Sequence, residues 1–198
     1  MTTDDLAVIG YSKGSELALL LAAEEELVRR VVAVAPSAYV WEDARMDPNA
    51  PRRSSWSRGG EPLAFVARDL DAEFYETFDK SRLRPFHDRA LADEEALGRA
   101  RLPVENICGP ILLLAGSEDG VWPSCAMAET IVQSMERAGK GDLVERRCYQ
   151  GAGHFLNPPG LPVTPDGDVA ATARASEQAW QAMLRHLDVS QSRSSPEA

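Results

Sequence analysis

Three short apolar runs, Leu6-Ala7-Val8-Ile9, Val31-Val32-Ala33-Val34-Ala35 and Ile111-Leu112-Leu113-Leu114-Ala115, constrain this chain more than anything else in it. Each is too short for an ordinary helix, lacks the alternation of a strand with one wet face, and stops at glycine or proline. Runs of this kind are strands buried on both faces, as in a parallel sheet with helices packed above and below. Ser15 to Glu26, rich in Leu, Ala and Glu, reads as a helix between the first two. The strand, helix, strand order then predicts a right-handed parallel crossover.

The same alternation resumes late in the chain. A helix is predicted from about Ser124 to Ala138, with Pro123 suited to its first turn, followed by a more polar strand over Val144 to Tyr149 that fits nearer a sheet edge. An amphipathic helix over Val169 to Leu187 closes the pattern. Between about residues 39 and 103 no comparable strand occurs: Asp47 to Gly60 is loop-like, and Asp69 to Lys80 and Arg89 to Ala100 read as helices. The expected fold class is α/β, a parallel sheet flanked by helices. One domain is expected over residues 1–188, with a largely helical insertion at about 39–103 and a disordered tail at 189–198.

With 198 residues, 44% of them hydrophobic, the chain is long enough for a single substantial core. Its formal net charge of -10 would be repelled by phosphate backbones and anionic lipid surfaces, which argues against nucleic-acid and membrane partners. No stretch approaches the roughly 20 apolar residues that span a bilayer, and Met1 to Asp5 lacks the order of a secretory signal, so a cytoplasmic location is expected. Cys108, Cys125 and Cys148 are odd in number and without metal-type spacing. They are expected to be free thiols, with no metal and no cofactor.

Chemistry enters at Gly10-Tyr11-Ser12-Lys13-Gly14, between the first strand and the first helix. A serine hydroxyl is a poor nucleophile unless it is presented on an open turn beside a base and near amides that hold a negative oxygen. The Gly-x-Ser-x-Gly elbow does this: small residues let strand and helix approach, and the helix amino terminus adds positive potential. The bare pattern is weak, arising by chance on the order of 0.05 times in such a chain. Its place between strand and helix is what makes Ser12 the candidate nucleophile, with the Lys13 amide as one oxyanion donor.

The acid and base should follow in the order serine, acid, histidine. Asp119 lies in Gly116-Ser117-Glu118-Asp119-Gly120, just past a buried strand where open α/β sites gather, with Glu118 as its neighbouring competitor. An Asx-turn aspartate is the plainer reading of such a position. His154, in Gly151-Ala152-Gly153-His154 after the last strand, is the candidate base, while His87 in the insertion and His186 on the last helix read as structural.

Several stretches together resemble the carboxyl-terminal domain of acyl-CoA thioesterases and bile acid-CoA:amino acid N-acyltransferases, within the α/β-hydrolase superfamily. They are Gly10 to Leu19, Pro36-Ser37-Ala38-Tyr39-Val40-Trp41, Leu102 to Ile107, Gly109 to Leu113 with Asp119, Val121-Trp122-Pro123-Ser124, and Tyr149 to His154. The lysine after the serine and the Trp-Pro-Ser after the acid are more specific than a generic esterase signature. The resemblance implies Ser12, Asp119 and His154 as a triad acting on an acyl-CoA or related acyl thioester or ester. Acyltransferases of that family are expected to use cysteine, so Ser12 inclines the reading toward hydrolysis. N-acyl transfer and a carboxylesterase of the dienelactone hydrolase type are the alternatives.

A complete fold of that kind places several strands and a second oxyanion amide before the nucleophile strand. This chain is therefore expected to be missing its N-terminal strands, as a truncated product, a mis-started reading frame or a partner-dependent fragment. Its exposed sheet edge is expected to promote self-association. An inactive remnant that keeps the elbow is the non-enzymatic alternative. Lys13 invites a role toward a coenzyme A phosphate, since a cation is disfavoured at a helix amino terminus; the plainer reading points it to solvent. Trp122 is the candidate for an acyl pocket wall, whereas Trp41 and Trp56 suit packing and the Arg52-Arg53 pair suits a solvated loop.

Overall fold

The computed structural model describes residues 6–45, 47–77, 79, 83–162 and 166–187. The tail expected at 189–198 and the Met1 to Asp5 segment lie outside them. In chain order the elements are β1 (Leu6–Tyr11), α1 (Lys13–Glu24), β2 (Val28–Val34), β3 (Ser57–Arg58), β4 (Glu61–Pro62), α2 (Ala72–Thr77), α3 (Arg84–Ala90) and α4 (Glu94–Ala100). They continue with β5 (Ile111–Gly116), α5 (Ser124–Arg137), β6 (Val144–Tyr149) and α6 (Val169–His186). Four parallel strands form one sheet in the order β1-β2-β5-β6.

The doubly apolar runs sort their side chains between two cores. Val31, Ala33, Ile111 and Leu113 face α1, α5 and the 39–103 segment. Val32, Val34, Leu112 and Leu114 face α6 through Ala175, Ala179, Ala182 and Met183. Successive strand residues point to opposite faces, so only a run apolar at every position can serve both layers. The fold is the expected α/β arrangement, with helices on both sides of a parallel sheet.

β1 departs from its sequence reading. It is the outer strand of the described sheet, and Leu6 and Ile9 are 52% and 45% exposed rather than buried on both faces. β6 occupies the other edge, matching its more polar composition.

The 39–103 segment carries more structure than its sequence suggests. Gly59 and Gly60, at φ +57° and +88°, reverse the chain between β3 and β4 within the stretch read as loop. The helix predicted over Arg89 to Ala100 is two helices, because the Asp93 carboxylate accepts the Ala96 N–H at 3.0 Å and so starts α4 afresh. The helix predicted from Asp69 starts at Ala72, with Asp71 accepting the Phe74 N–H at 2.8 Å.

The cysteines require a correction. Cys125, on the first turn of α5, and Cys148, near the end of β6, form a disulfide with Cα atoms 5.6 Å apart, leaving Cys108 as the free thiol. Spacing along the chain does not reveal that α5 lies beside β6, which is what brings the two sulfurs together. The bond closes a segment with a sequence separation of 23. Its loss is expected to cost about 3 kcal/mol of stability through the unfolded chain's regained freedom. Urea midpoints of the wild type and of a Cys125→Ser, Cys148→Ser double variant measure this; equal midpoints would contradict it.

Candidate active site

Ser12 lies between β1 and α1 at φ 54° and ψ -121°, a left-handed conformation that costs a non-glycine residue about 1–3 kcal/mol. Its N–H donates to the Val34 carbonyl at 2.9 Å, and its own carbonyl accepts from the Ser15 N–H at 2.8 Å and the Ser15 hydroxyl at 2.6 Å. These bonds hold the turn in its strained shape. A Cβ on Gly10 would lie 2.1 Å from the Gly14 carbonyl oxygen, so strand and helix meet where only glycine fits. A Cβ on Gly14 would meet nothing within 4 Å. The close approach therefore demands the first glycine of the elbow and not the second.

Asp119 follows β5 and is buried. Its Oδ1 accepts from the Val121 N–H at 2.9 Å and the Trp122 N–H at 3.1 Å, and its Oδ2 faces His154 Nδ1 at 2.8 Å. The neighbouring Glu118 is exposed, and its backbone N–H donates to the Ala152 carbonyl at 2.9 Å. His154, in the loop after β6, has its Nε2 2.8 Å from the Ser12 hydroxyl oxygen. The three side chains thus form one hydrogen-bonded line at the carboxyl end of the sheet, drawn from the loops after β1, β5 and β6.

The loops that carry Asp119 and His154 are also joined directly. The Ser117 N–H donates to the Tyr149 carbonyl at 3.0 Å, and the Ser117 hydroxyl accepts the Gly151 N–H at 2.8 Å. Gly116 is essential to this approach, since a Cβ there would lie 2.3 Å from the Ala152 carbonyl oxygen.

Aromatic rings fix the imidazole plane. Trp122 meets His154 edge-on with centroids 5.4 Å apart, and Phe155 does so at 4.5 Å. On its other side Trp122 meets His87 at 5.6 Å, and His87 in turn meets Trp41 at 4.6 Å. Trp122 is 2% exposed, and its indole N–H donates to the Ala35 carbonyl at 3.2 Å. Its contact with the site is made through the histidine, rather than as an open acyl wall. Burial, reinforced by the Arg68 charge, pushes the pKa of His87 down to about 3. His87 is therefore neutral and adds no cation on that side of Trp122. His186, at the end of α6, has its backbone carbonyl accepting from Arg30 at 2.7 Å.

The Lys13 side chain is 37% exposed, but its charge is already engaged. Its ammonium lies 2.9 Å from the fully buried Glu16 carboxylate and donates to the Trp41 carbonyl at 3.3 Å. Glu16 also accepts from the Trp56 indole N–H at 3.0 Å and the Trp41 N–H at 3.3 Å. Burial lowers the pKa of Lys13 and raises that of Glu16, and their mutual attraction opposes both shifts. An incoming anion would have to compete with a carboxylate already in contact.

Three residues of this region escaped sequence reasoning. Glu16 carried one signal, an acid on the same helical face as Leu19 and Leu20. Ala35, at φ 47°, carried none, yet its carbonyl receives Trp122. Asp166 carried only an Asp-Gly turn signature; its carboxylate reaches into the site's loops.

The family model described as BAAT / Acyl-CoA thioester hydrolase C terminal matches residues 1–190. The chain belongs to this family. Among its BAAT/acyl-CoA thioester hydrolase relatives, the peroxisomal succinyl-coenzyme A thioesterase of Mus musculus is 25% identical over 209 residues, covering 96% of this chain and 46% of the relative. The bile acid-CoA:amino acid N-acyltransferase of Homo sapiens is 33% identical over 96 residues, covering 43% of this chain and 23% of the relative. The chain thus spans less than half the length of either. An esterase of Pyrococcus furiosus of known structure superposes with a TM-score of 0.49 at 14% identity, covering 93% of this chain and 53% of that one. No helix among the described residues is long and apolar enough to cross a membrane.

Proposed function

We propose that this chain carries the catalytic triad of a serine hydrolase that cleaves acyl-CoA or closely related acyl thioesters. The observation that carries the reading is the hydrogen-bonded line from the Ser12 hydroxyl through His154 to Asp119, with 2.8 Å at each step. In this reading His154 Nε2 removes the Ser12 proton as the hydroxyl attacks the thioester carbonyl, while Asp119 keeps the proton on Nδ1. The imidazolium then protonates the departing coenzyme thiolate, leaving an acyl-serine. Water, deprotonated by the same imidazole, releases the acid.

The Lys13 amide, in the first turn of α1, is one donor to the oxyanion, since N–H groups there have no acceptor within the helix. The Lys13 ammonium acts as a brace through Glu16, and Trp122 holds the plane of His154. Family membership supports the acyl-CoA part of the substrate, and serine in the nucleophile position favours water over an amine as acceptor.

A fluorophosphonate probe tests the serine directly. Labelling of the wild type, absence of labelling in Ser12→Ala, and release of coenzyme thiol and free acid from acyl-CoA are expected. A well-folded wild type that neither labels nor hydrolyses would sink the proposal. If the acyl group instead appeared on added glycine or taurine, acyl transfer would replace hydrolysis as the reaction.

A further inference from the structure

We infer that Asp166 is a positioning residue that sets the acid and base loops of the triad against each other; this rests on the reading of Ser12, Asp119 and His154 as catalytic. A single carboxylate oxygen, Asp166 Oδ2, accepts the backbone N–H of His154 at 2.5 Å and the backbone N–H of Gly120 at 3.2 Å. One of those amides belongs to the base itself and the other to the residue directly after the acid. No other side-chain atom bonds to both loops this close to the reacting groups among the described contacts.

The surroundings are built around this carboxylate. A Cβ on Gly153 would lie 2.1 Å from the Asp166 carbonyl oxygen and 2.8 Å from its carboxyl carbon, so the residue before the base must be glycine for Asp166 to come so near. Gly167, at φ 72°, would place a Cβ 2.6 Å from the Gly153 nitrogen. The next residue, Asp168, caps α6 by accepting the Ala171 N–H at 2.6 Å, and its own N–H donates to the Gly151 carbonyl at 2.8 Å. The amino end of α6 therefore anchors Asp166 from behind.

Charge-assisted bonds from a carboxylate to backbone N–H groups are shorter and stronger than neutral ones. Losing this one would free two amides and let the His154 backbone shift relative to Asp119. The 2.8 Å contacts of the imidazole on both sides leave little room for such a shift. A misplacement of about 1 Å at a reacting group costs on the order of 100-fold in rate.

The experiment compares Asp166→Ala, Asp166→Asn and Asp166→Glu with the wild type and with Ser12→Ala, using acyl-CoA hydrolysis, thermal midpoints and the low-field proton resonance of the His154 imidazole. Asp166→Ala is expected to lower kcat by about 100-fold with KM within about threefold, and to lose or shift the low-field resonance. Asp166→Asn keeps an oxygen that accepts both amides, and should restore kcat to within about tenfold of wild type together with the resonance. A folded Asp166→Ala with wild-type kcat, or with the loss confined to KM, would overturn the inference. Should Asp166→Ala not fold, Asp166→Glu gives the same decision, since its longer arm keeps the charge but displaces the oxygen. Activity persisting in Ser12→Ala would instead overturn the triad reading itself, separating the two failures.

Discussion

Asp119→Asn is expected to fold normally and to turn over acyl-CoA about 10,000-fold more slowly than the wild type, with KM nearly unchanged. The size of the effect follows from the way the carboxylate is held. Its Oδ1 receives two backbone N–H groups, from Val121 and Trp122, so the amide oxygen of asparagine must take that place. The amide nitrogen is then left where Oδ2 stood, 2.8 Å from His154 Nδ1, and it can only donate there. A donor facing Nδ1 forces the imidazole proton onto Nε2, the nitrogen that must accept the Ser12 proton. The backbone bonds survive, so stability should hold while chemistry fails. Steady-state kinetics with thermal midpoints on the same samples decide it; a loss of less than tenfold in kcat would show that Asp119 does not set the tautomer.

Acid should destabilise the fold through His87. The residue is fully buried, with Trp41 and Trp122 packed on its ring, and its Nδ1 lies 3.0 Å from the Leu83 carbonyl. Arg68 and Lys13 are the cations that act on it, and both disfavour its protonation. Its folded pKa of about 3 lies below the usual 6.5, so between those values the unfolded chain binds a proton that the folded chain refuses. The stability this gives is complete above 6.5 and is lost as the pH falls toward 3. The loss amounts to about 2 kcal/mol by mid-range and about 4–5 kcal/mol in full. Urea unfolding at neutral and mildly acidic pH, for the wild type and His87→Gln, isolates the contribution. The same acid slope in both proteins would show that His87 does not carry it.

The sheet was readable where burial leaves its mark at every position. Val31 to Val34 and Ile111 to Leu114 serve two cores at once, and nothing but a central strand needs that. The same signal misled at β1, because an apolar run does not state how many neighbours its strand has; Leu6 and Ile9 are exposed at the sheet's outer strand. The order of Ser12, Asp119 and His154 singled out residues that the fold joins in a line with 2.8 Å at each step, since each follows a strand of the main sheet and those strands run one way. Partnerships between distant segments were not readable. Nothing local to Cys125 or Cys148 announces that α5 lies beside β6, and nothing local to Asp166 announces two amides waiting across the loops.

The ties around Glu16 bear on how this protein can be remodelled. Its carboxylate lies on the helix that starts after Ser12, yet its three described partners are Trp41, Trp56 and a lysine that also holds Trp41. Residues 39–103 are therefore no portable cassette: a chimera that grafted a different segment onto this sheet would take two of its three partners from a fully buried carboxylate and leave it only Lys13. Exchanging Glu16 and Lys13 for an apolar pair in the same step should make such a graft easier to accommodate.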